Sequence, residues 1–205
     1  KIGIWVNCQA RAFAFHQRAK SMFDPEEPVT MNIVGGNNGL VTVGIHRADL
    51  FAFYDGSSHI NGGQHRVDPI LHVSKRGSHL FDLSGTLFGY TDKGSTITLS
   101  YSPNHQNYEH LSISGSDYRC IVDHMQQWAF ESDAQSGWDW RPAQYQSEIL
   151  VSETSRVYIG EILTNGSCSL PTLEESLPAH RFILDELKPY FSHLLNAEID
   201  LCPVT

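Results

Sequence analysis

The 205-residue sequence predicts an α+β fold with a mostly antiparallel β-sheet. Three observations support this prediction. Short apolar runs bounded by Gly, Asn, Asp or Ser are numerous, which is typical of strands. Only three stretches repeat their apolar residues at spacings of three and four, which is typical of amphipathic helices. Because these helices do not alternate with the strands, a doubly wound parallel sheet is not expected.

The first helix is predicted over residues 11–23, where Phe15 and Ala19 lie on one side. Strands are predicted in short segments that are rich in β-branched or aromatic residues. These segments are 2–6, 40–45, 50–54, 69–74, 86–91, 96–101, 145–151 and 157–163.

Two further helices are predicted later in the chain. Residues 117–130 form the second, because apolar side chains that include Trp128 recur every three or four positions. Residues 179–195 form the third. Pro189 lies inside this run and predicts a kink or a division into two shorter helices.

The composition indicates one globular domain over residues 1–205. Hydrophobic residues make up 40% of the chain and charged residues 18%. No apolar run approaches the roughly 20 residues that span a bilayer, so no membrane contact is predicted. The four cysteines are dispersed and form no Cys-x-x-Cys pair, which favours free thiols and a cytoplasmic protein. Two disulfides remain open for a secreted protein.

The net charge of −9 opposes loose association with nucleic acid, because such binding depends on neutralising phosphates. Binding would therefore need a local basic strip together with aromatic stacking, which favours single strands over duplex. The residues that could form such a strip are Arg18, Lys20, Arg47, Lys75 and Arg76.

Other chemistries have weak signals. The 11 histidines include no His-x-x-x-His pair, so no metal site is predicted. No Gly-x-Ser-x-Gly elbow occurs, which argues against a serine hydrolase.

Glu148 directly precedes the apolar run at residues 149–151. In an extended strand, Gln146 and Glu148 project to the same side. Such a pair can stabilise positive charge on a sugar ring and hold an incoming nucleophile.

The order of several motifs resembles the DarT-type ADP-ribosyltransferases, toxins that transfer ADP-ribose from NAD to single-stranded DNA. The matching segments are LFAFY at 50–54, PILHV at 69–73, FGYTD at 88–92 and QYQSEILV at 144–151. The resemblance implies an ADP-ribosyltransferase-like fold with two packed antiparallel sheets and an NAD cleft. It also implies a nucleic-acid acceptor, preferably single-stranded, and an antitoxin protein as a partner.

The resemblance also implies a site. Glu148 corresponds to the catalytic glutamate, and Gln146 would orient the acceptor. The residues that would bind NAD according to this resemblance are Arg47, His46, Phe53 and Tyr54.

Two alternatives stay open at the level of sequence. Exposed tryptophans at 128, 138 and 140 would suit a glycan-binding or adhesion module, because sugars stack on indole rings. A carboxylate-based glycoside hydrolase would instead need a second carboxylate near Glu148.

Overall fold

The structure is a computed structural model that describes residues 3–36, 39–104, 109–146 and 151–204. Within these ranges, eleven strands and four α-helices follow one short 3-10 helix, Gln9–Ala12. The strands are β1 Thr30–Gly36, β2 Asn61–Gly62, β3 Arg66–Val67, β4 His72–Val73, β5 Phe81–Asp82, β6 Gly85–Tyr90, β7 Thr96–Ser102, β8 His110–Ser114, β9 Tyr118–Asp123, β10 Trp128–Asp133 and β11 Arg141–Ala143. The α-helices are α1 Ala14–Lys20, α2 Thr42–Asp55, α3 Val151–Asn165 and α4 Leu173–Leu195.

In the part of the chain that the structure describes, nine strands form one mixed sheet. Their order is β11-β10-β9-β8-β1-β7-β6-β2, and β3 also pairs with β6. Strands β1 and β7 are parallel, with Ile33 opposite Leu99, while the other pairs are antiparallel. Strands β4 and β5 form a separate two-stranded hairpin.

One face of the sheet carries the core. In β1, Met31 and Ile33 are fully buried, whereas Asn32 and Val34 are exposed on the opposite face. This alternation follows from the two-residue period of a strand. The buried face packs with residues of α1, α2 and α4, which include Ala19, Phe51 and Leu187, and the hydrophobic core therefore lies between the sheet and these helices.

Helix α2 is central to this core. Leu50 and Phe51 are fully buried. The helix ends at Gly56, whose backbone is left-handed with φ of 80° and whose N–H donates to the carbonyl of Ala52 at 2.8 Å. Glycine accepts this conformation without steric cost, so it is a favourable helix terminator.

The prediction of strands at 40–45, 50–54 and 157–163 is wrong. The first two segments fall largely within α2, and the third lies inside α3. Helix α2 is apolar on most sides because it is buried in the core, so its sequence does not show the one-sided apolar period of a surface helix.

The prediction of a helix over 117–130 is also wrong, because these residues form β9, a tight turn and the first half of β10. Gln127 has φ of 58°, a left-handed turn conformation that no α-helix contains. Cys120 and Val122 face the core, following the alternation of a strand. Trp128 is 38% exposed on β10, so it does not anchor a helix in the core.

The predicted ADP-ribosyltransferase-like fold, with mostly antiparallel and paired sheets, is wrong. Nine of the eleven described strands form one mixed sheet with a parallel pair near its centre. Segments 86–91 and 96–101 do largely coincide with β6 and β7. Helix α4 includes 179–195 and passes through Pro189 without a division.

None of the described helices combines the length and apolar character needed to cross a membrane.

Candidate functional site

The carboxyl ends of the parallel strands β1 and β7 lie side by side, with Gly36 opposite Ser102. Ligands in sheets with parallel strands bind preferentially outside these ends, where the loops diverge. The chain after β1 leads into α2, and the chain after β7 leads to Glu109 before β8. The start of α2 therefore lies at the edge of the sheet where ligands bind in proteins with parallel strands.

Asp82 fixes the start of α2. Its carboxylate accepts hydrogen bonds from the backbone N–H groups of Val41 at 2.9 Å and Thr42 at 3.3 Å, and from the Thr42 hydroxyl. The first amides of a helix lack intrahelical partners, and a carboxylate satisfies them. Because Asp82 belongs to β5, these bonds also attach the β4–β5 hairpin to the helix.

Thr42, His46 and Asp49 lie on one face of α2, since their spacings of four and three residues equal about one helical turn each. Thr42 contacts the hairpin through Asp82. Asp49 is buried and accepts two bonds from Arg11, at 2.8 and 2.7 Å. His46 lies between these two anchored residues and is exposed. His46 is the middle of these three residues, and the anchored residues on either side of it hold it at the surface.

Loss of hydration and the nearby cations lower the pKa of His46 to about 4. After desolvation, the contributing charges are those of Arg47, His180 and Arg76. Although the residue is exposed, its ring is surrounded by enough protein to lose part of its hydration. The imidazole is consequently neutral near pH 7 and can accept a proton or a hydrogen bond.

Arg47 makes a part-buried ion pair with Glu109. The hydroxyl of Tyr101, on β7, donates to the other oxygen of the same carboxylate. This network ties α2 to the chain beyond β7, so both carboxyl-end connections are fixed to one another. Arg47 was predicted to bind the NAD pyrophosphate, and the structure places its guanidinium against Glu109.

The hairpin brings further predicted residues to this region. Lys75 and Arg76 lie exposed at its tip, and the charge of Arg76 acts on His46. His46 and Arg47, which were predicted together as NAD-binding residues, and Arg76, which was predicted to bind nucleic acid, therefore belong to one region. His180 approaches the same region from α4, and its Nδ1 lies 3.1 Å from the Ser176 hydroxyl.

Two other predicted basic residues lie elsewhere. Arg18 pairs with Glu131 at 2.7 Å on the other side of the sheet's core. Lys20 donates to the carbonyl of Phe53, and its ammonium lies 4.4 Å from the centre of the Phe53 ring. The five predicted cations do not form one continuous strip among the described residues.

The remaining predicted residues are also dispersed. Tyr54 is buried, and its hydroxyl lies 2.8 Å from Nδ1 of His16. Gln146 is exposed and lines a cavity of 320 Å³ beside α3. Glu148 lies outside the described residues.

A second histidine cluster is buried between α1 and the β9–β10 turn. The rings of His16 and His124 stack with their centroids 5.2 Å apart. Tyr54 contacts Nδ1 of His16, and Tyr145 contacts Nδ1 of His124. Burial lowers the pKa of His16 to about 3 and that of His124 well below its usual value. The cluster is closed to ligands.

Sequence reasoning missed Asp82, Glu109, Tyr101 and His180. Their partners lie far away along the chain, with 62 positions between Arg47 and Glu109. One local signal was present: Thr42, His46 and Asp49 have the spacing of a polar helix face. Among the described residues, no group of three or more His, Cys, Asp or Glu side chains could hold a metal ion.

No protein-family model matches the sequence, and no curated protein matches it. Solved structures do match at the level of the fold. One is UDP-N-acetylglucosamine 3-dehydrogenase GnnA from Acidithiobacillus ferrooxidans, with a TM-score of 0.60 and 10% identity. The alignment covers 98% of this chain and 62% of that structure.

Two other similar structures differ in their roles. A mutant of KijD10, a 3-ketoreductase from Actinomadura kijaniata in complex with TDP-benzene and NADP, has a TM-score of 0.61 and 12% identity, with 87% of this chain and 58% of that one covered. A super-repressor mutant of Gal80p from Saccharomyces cerevisiae has a TM-score of 0.60 and 14% identity, with 92% and 64% covered. The chain thus spans about three fifths of these structures.

These neighbouring structures have the fold of Gfo/Idh/MocA-type oxidoreductases. The predicted resemblance of this chain to the DarT-type ADP-ribosyltransferases is therefore wrong. The predicted transfer of ADP-ribose to nucleic acid is overturned by the same finding, as is the description of the chain as a DNA-binding toxin. The glycan-binding and glycoside hydrolase alternatives also find no support.

The described residues do not fit a bound dinucleotide. A dinucleotide pyrophosphate binds at the open N-terminus of a helix that follows a glycine-rich turn. At the start of α2, the carboxylate of Asp82 already occupies the first amides and would repel a phosphate. The sequence also contains no Gly-x-Gly-x-x-Gly.

Proposed function

We propose that the chain is the substrate-binding sheet domain of an NAD(P)-dependent oxidoreductase that acts on a hydroxyl or carbonyl group of a small polar molecule. The observation that carries the proposal is His46, an exposed histidine beside the carboxyl ends of the parallel pair. The fold shared with a dehydrogenase and a ketoreductase supports the reaction class.

His46 is the group that exchanges a proton with the substrate. The lowered pKa leaves the imidazole neutral at physiological pH but makes it a weaker base than an ordinary histidine, so it accepts the proton of a substrate hydroxyl as hydride leaves that carbon. In the reverse direction, the imidazolium returns this proton to the oxygen of the carbonyl. Positioned proton transfer of this kind contributes about 10² to 10⁴ in rate.

The surrounding network positions His46. Asp82 and Thr42 fix the start of α2, and Arg11 holds Asp49 one turn beyond the histidine. Arg47 and Glu109 connect the same helix to the chain after β7. A catalytic side chain supported on both sides needs little reorganisation when the substrate binds.

The dinucleotide is held outside the described residues, by another part of the protein or by another chain. The mixed sheet and the occupied start of α2 support this assignment, because neither suits a pyrophosphate. The chain therefore contributes the substrate side of the reaction, and the oxidation itself requires NAD(P) bound opposite.

Dinucleotide reduction tests this proposal. The protein, purified together with the part or chain that holds the dinucleotide, should reduce NAD⁺ or NADP⁺ in the presence of at least one member of a panel of sugars, polyols and hydroxy acids, or oxidise the reduced form with the corresponding ketones. Gal80p shows that a repressor can also have this fold. Absence of any turnover, together with ligand binding that His46→Asn leaves unchanged, would contradict the proposal.

A further inference from the structure

The acidic side chains that touch the start of α2 are all engaged. Asp82 accepts from the first amides of the helix, and Glu109 accepts from Arg47 and Tyr101. Asp49 is paired with Arg11 through two bonds. None of these three carboxylates is available to balance a further positive charge nearby.

The cations at the tip of the β4–β5 hairpin are, by contrast, unpaired. Lys75 and Arg76 are exposed, and neither makes a side-chain hydrogen bond or ion pair with any described residue. The hairpin that carries them is held firmly, because Asp82 bonds to α2 and the N–H of Phe81 donates to the carbonyl of Pro203 at 2.7 Å. Two free cations therefore stand on a fixed support.

This placement is unusual for the molecule as a whole. The chain has a net charge of −9, so a site with uncompensated positive charge is a local feature. Arg76 is also close enough to act electrostatically on His46. The hairpin that carries both free cations is attached through Asp82 to the start of α2, one turn before the proposed proton-transfer residue.

We infer that the substrate carries an oxyanion, a phosphate or carboxylate group, that binds to Arg76 and Lys75 at the hairpin tip while its reacting hydroxyl lies at His46. This inference rests on the proposed function for the position of the hydroxyl. A guanidinium can donate two parallel bonds to such a group, and the ammonium of lysine adds a point charge.

An anionic substrate would itself balance the charges of Lys75 and Arg76, so the site needs no free carboxylate beside them. A neutral polyol would leave both hairpin cations without a partner, and an ammonium-bearing substrate would be repelled by them. An oxyanion gains from both of these charges. Charge thus selects among substrates of similar size.

Binding of inorganic pyrophosphate tests the inference without any knowledge of the substrate. Calorimetric titration should be done without NADP⁺, because its phosphate groups would compete with pyrophosphate for the hairpin cations. We expect binding that weakens as salt rises, and that weakens about tenfold in Arg76→Gln, since this variant loses a charged hydrogen-bond donor. Lys75→Gln should have a smaller effect.

The matched control is Arg156→Gln, which removes the same charge from a side chain on α3 that is 80% exposed. Failure of the wild-type protein to bind pyrophosphate, or equal weakening by the Arg156 and Arg76 variants, would overturn the anion site. Pyrophosphate binding that depends on Arg76 in a protein without turnover would instead contradict the proposed function alone.

Discussion

Two groups of histidines have lowered pKa values, but they occupy opposite environments. His16 and His124 are buried against each other in the core, and burial is the main cause of their shifts. His46 is exposed at the start of α2, where nearby cations add to its partial desolvation. A perturbed pKa alone therefore does not identify a functional residue. Access to a ligand separates His46 from the buried pair.

The largest effect that we expect concerns the buried pair. The folded protein keeps His16 neutral, with a pKa of about 3 against an ordinary value of 6.5. The unfolded chain binds the proton more readily, so stability is full above pH 6.5 and is lost as the pH falls from there towards 3. The loss from His16 alone amounts to roughly 4 to 5 kcal/mol.

Denaturant unfolding across this pH range measures the effect. The charge of Arg47 lowers the pKa of both rings further, and Tyr54 and Tyr145 are their hydrogen-bonding neighbours. A His16→Leu variant should show a shallower dependence on pH, and His46→Asn should flatten it less, because the pKa of His46 is lowered less, to about 4. An identical slope in the His16 variant would remove the distinction between the two groups.

The next largest effect is expected at Asp49, which is buried about one turn beyond His46 on the same face of α2. Arg11→Ala leaves the Asp49 carboxylate in the core without its partner. An uncompensated buried charge of this kind destabilises by about 3 to 5 kcal/mol. Urea unfolding of Arg11→Ala and of Arg156→Ala, whose ion pair is exposed, provides the comparison. Equal losses in the two variants would contradict the anchoring role of Arg11.

The smallest effect is expected at the start of α2. Thr42→Val removes one hydrogen bond to Asp82 and leaves the two backbone bonds in place. Loss of one such bond should reduce the free energy of unfolding by about 1 kcal/mol. Thr98→Val, on the open face of the sheet, is the matched control and should change it by less than about 0.5 kcal/mol. Thermal unfolding measures both, and a larger loss for Thr98→Val would show that the helix start is not specifically braced.

Some of the fold could be predicted from the sequence because local pattern and burial agree there. In β7, the residues Ile97, Leu99 and Tyr101 face the core and alternate with half-buried polar residues, so the period is visible. Helix α4 begins at a capping box formed by Thr172 and Glu175 and keeps one buried side.

The rest could not be predicted, because tertiary context decides it. Helix α2 is buried in the core, so its apolar runs resemble strands. The β9–β10 hairpin contains Ile121, Met125 and Trp128 at helical spacings by coincidence, although Cys120 and Val122 alternate as in a strand. Short motifs were matched to a known family in order, yet their order did not determine the topology.

The candidate site was only partly visible in the sequence. His46 and Arg47 were predicted together to bind NAD, and Arg76 was predicted to bind nucleic acid, so the sequence placed them in a different chemistry. Their grouping depends on Asp82, which lies 40 positions from Thr42, and on Glu109, which lies 62 positions from Arg47. Contacts between such distant positions leave no spacing pattern in a single sequence.

The rate of hydride transfer in His46→Asn tests the central claim most directly. It should be measured with the substrate found by the turnover panel, alongside His59→Asn, which alters an exposed histidine in the loop after α2. The account predicts that kcat falls by about 10² to 10⁴ in the His46 variant. The free energy of unfolding should change by less than about 0.5 kcal/mol in both variants. Equal and near wild-type kcat values in the two variants would contradict the assignment of His46 as the proton-transfer residue.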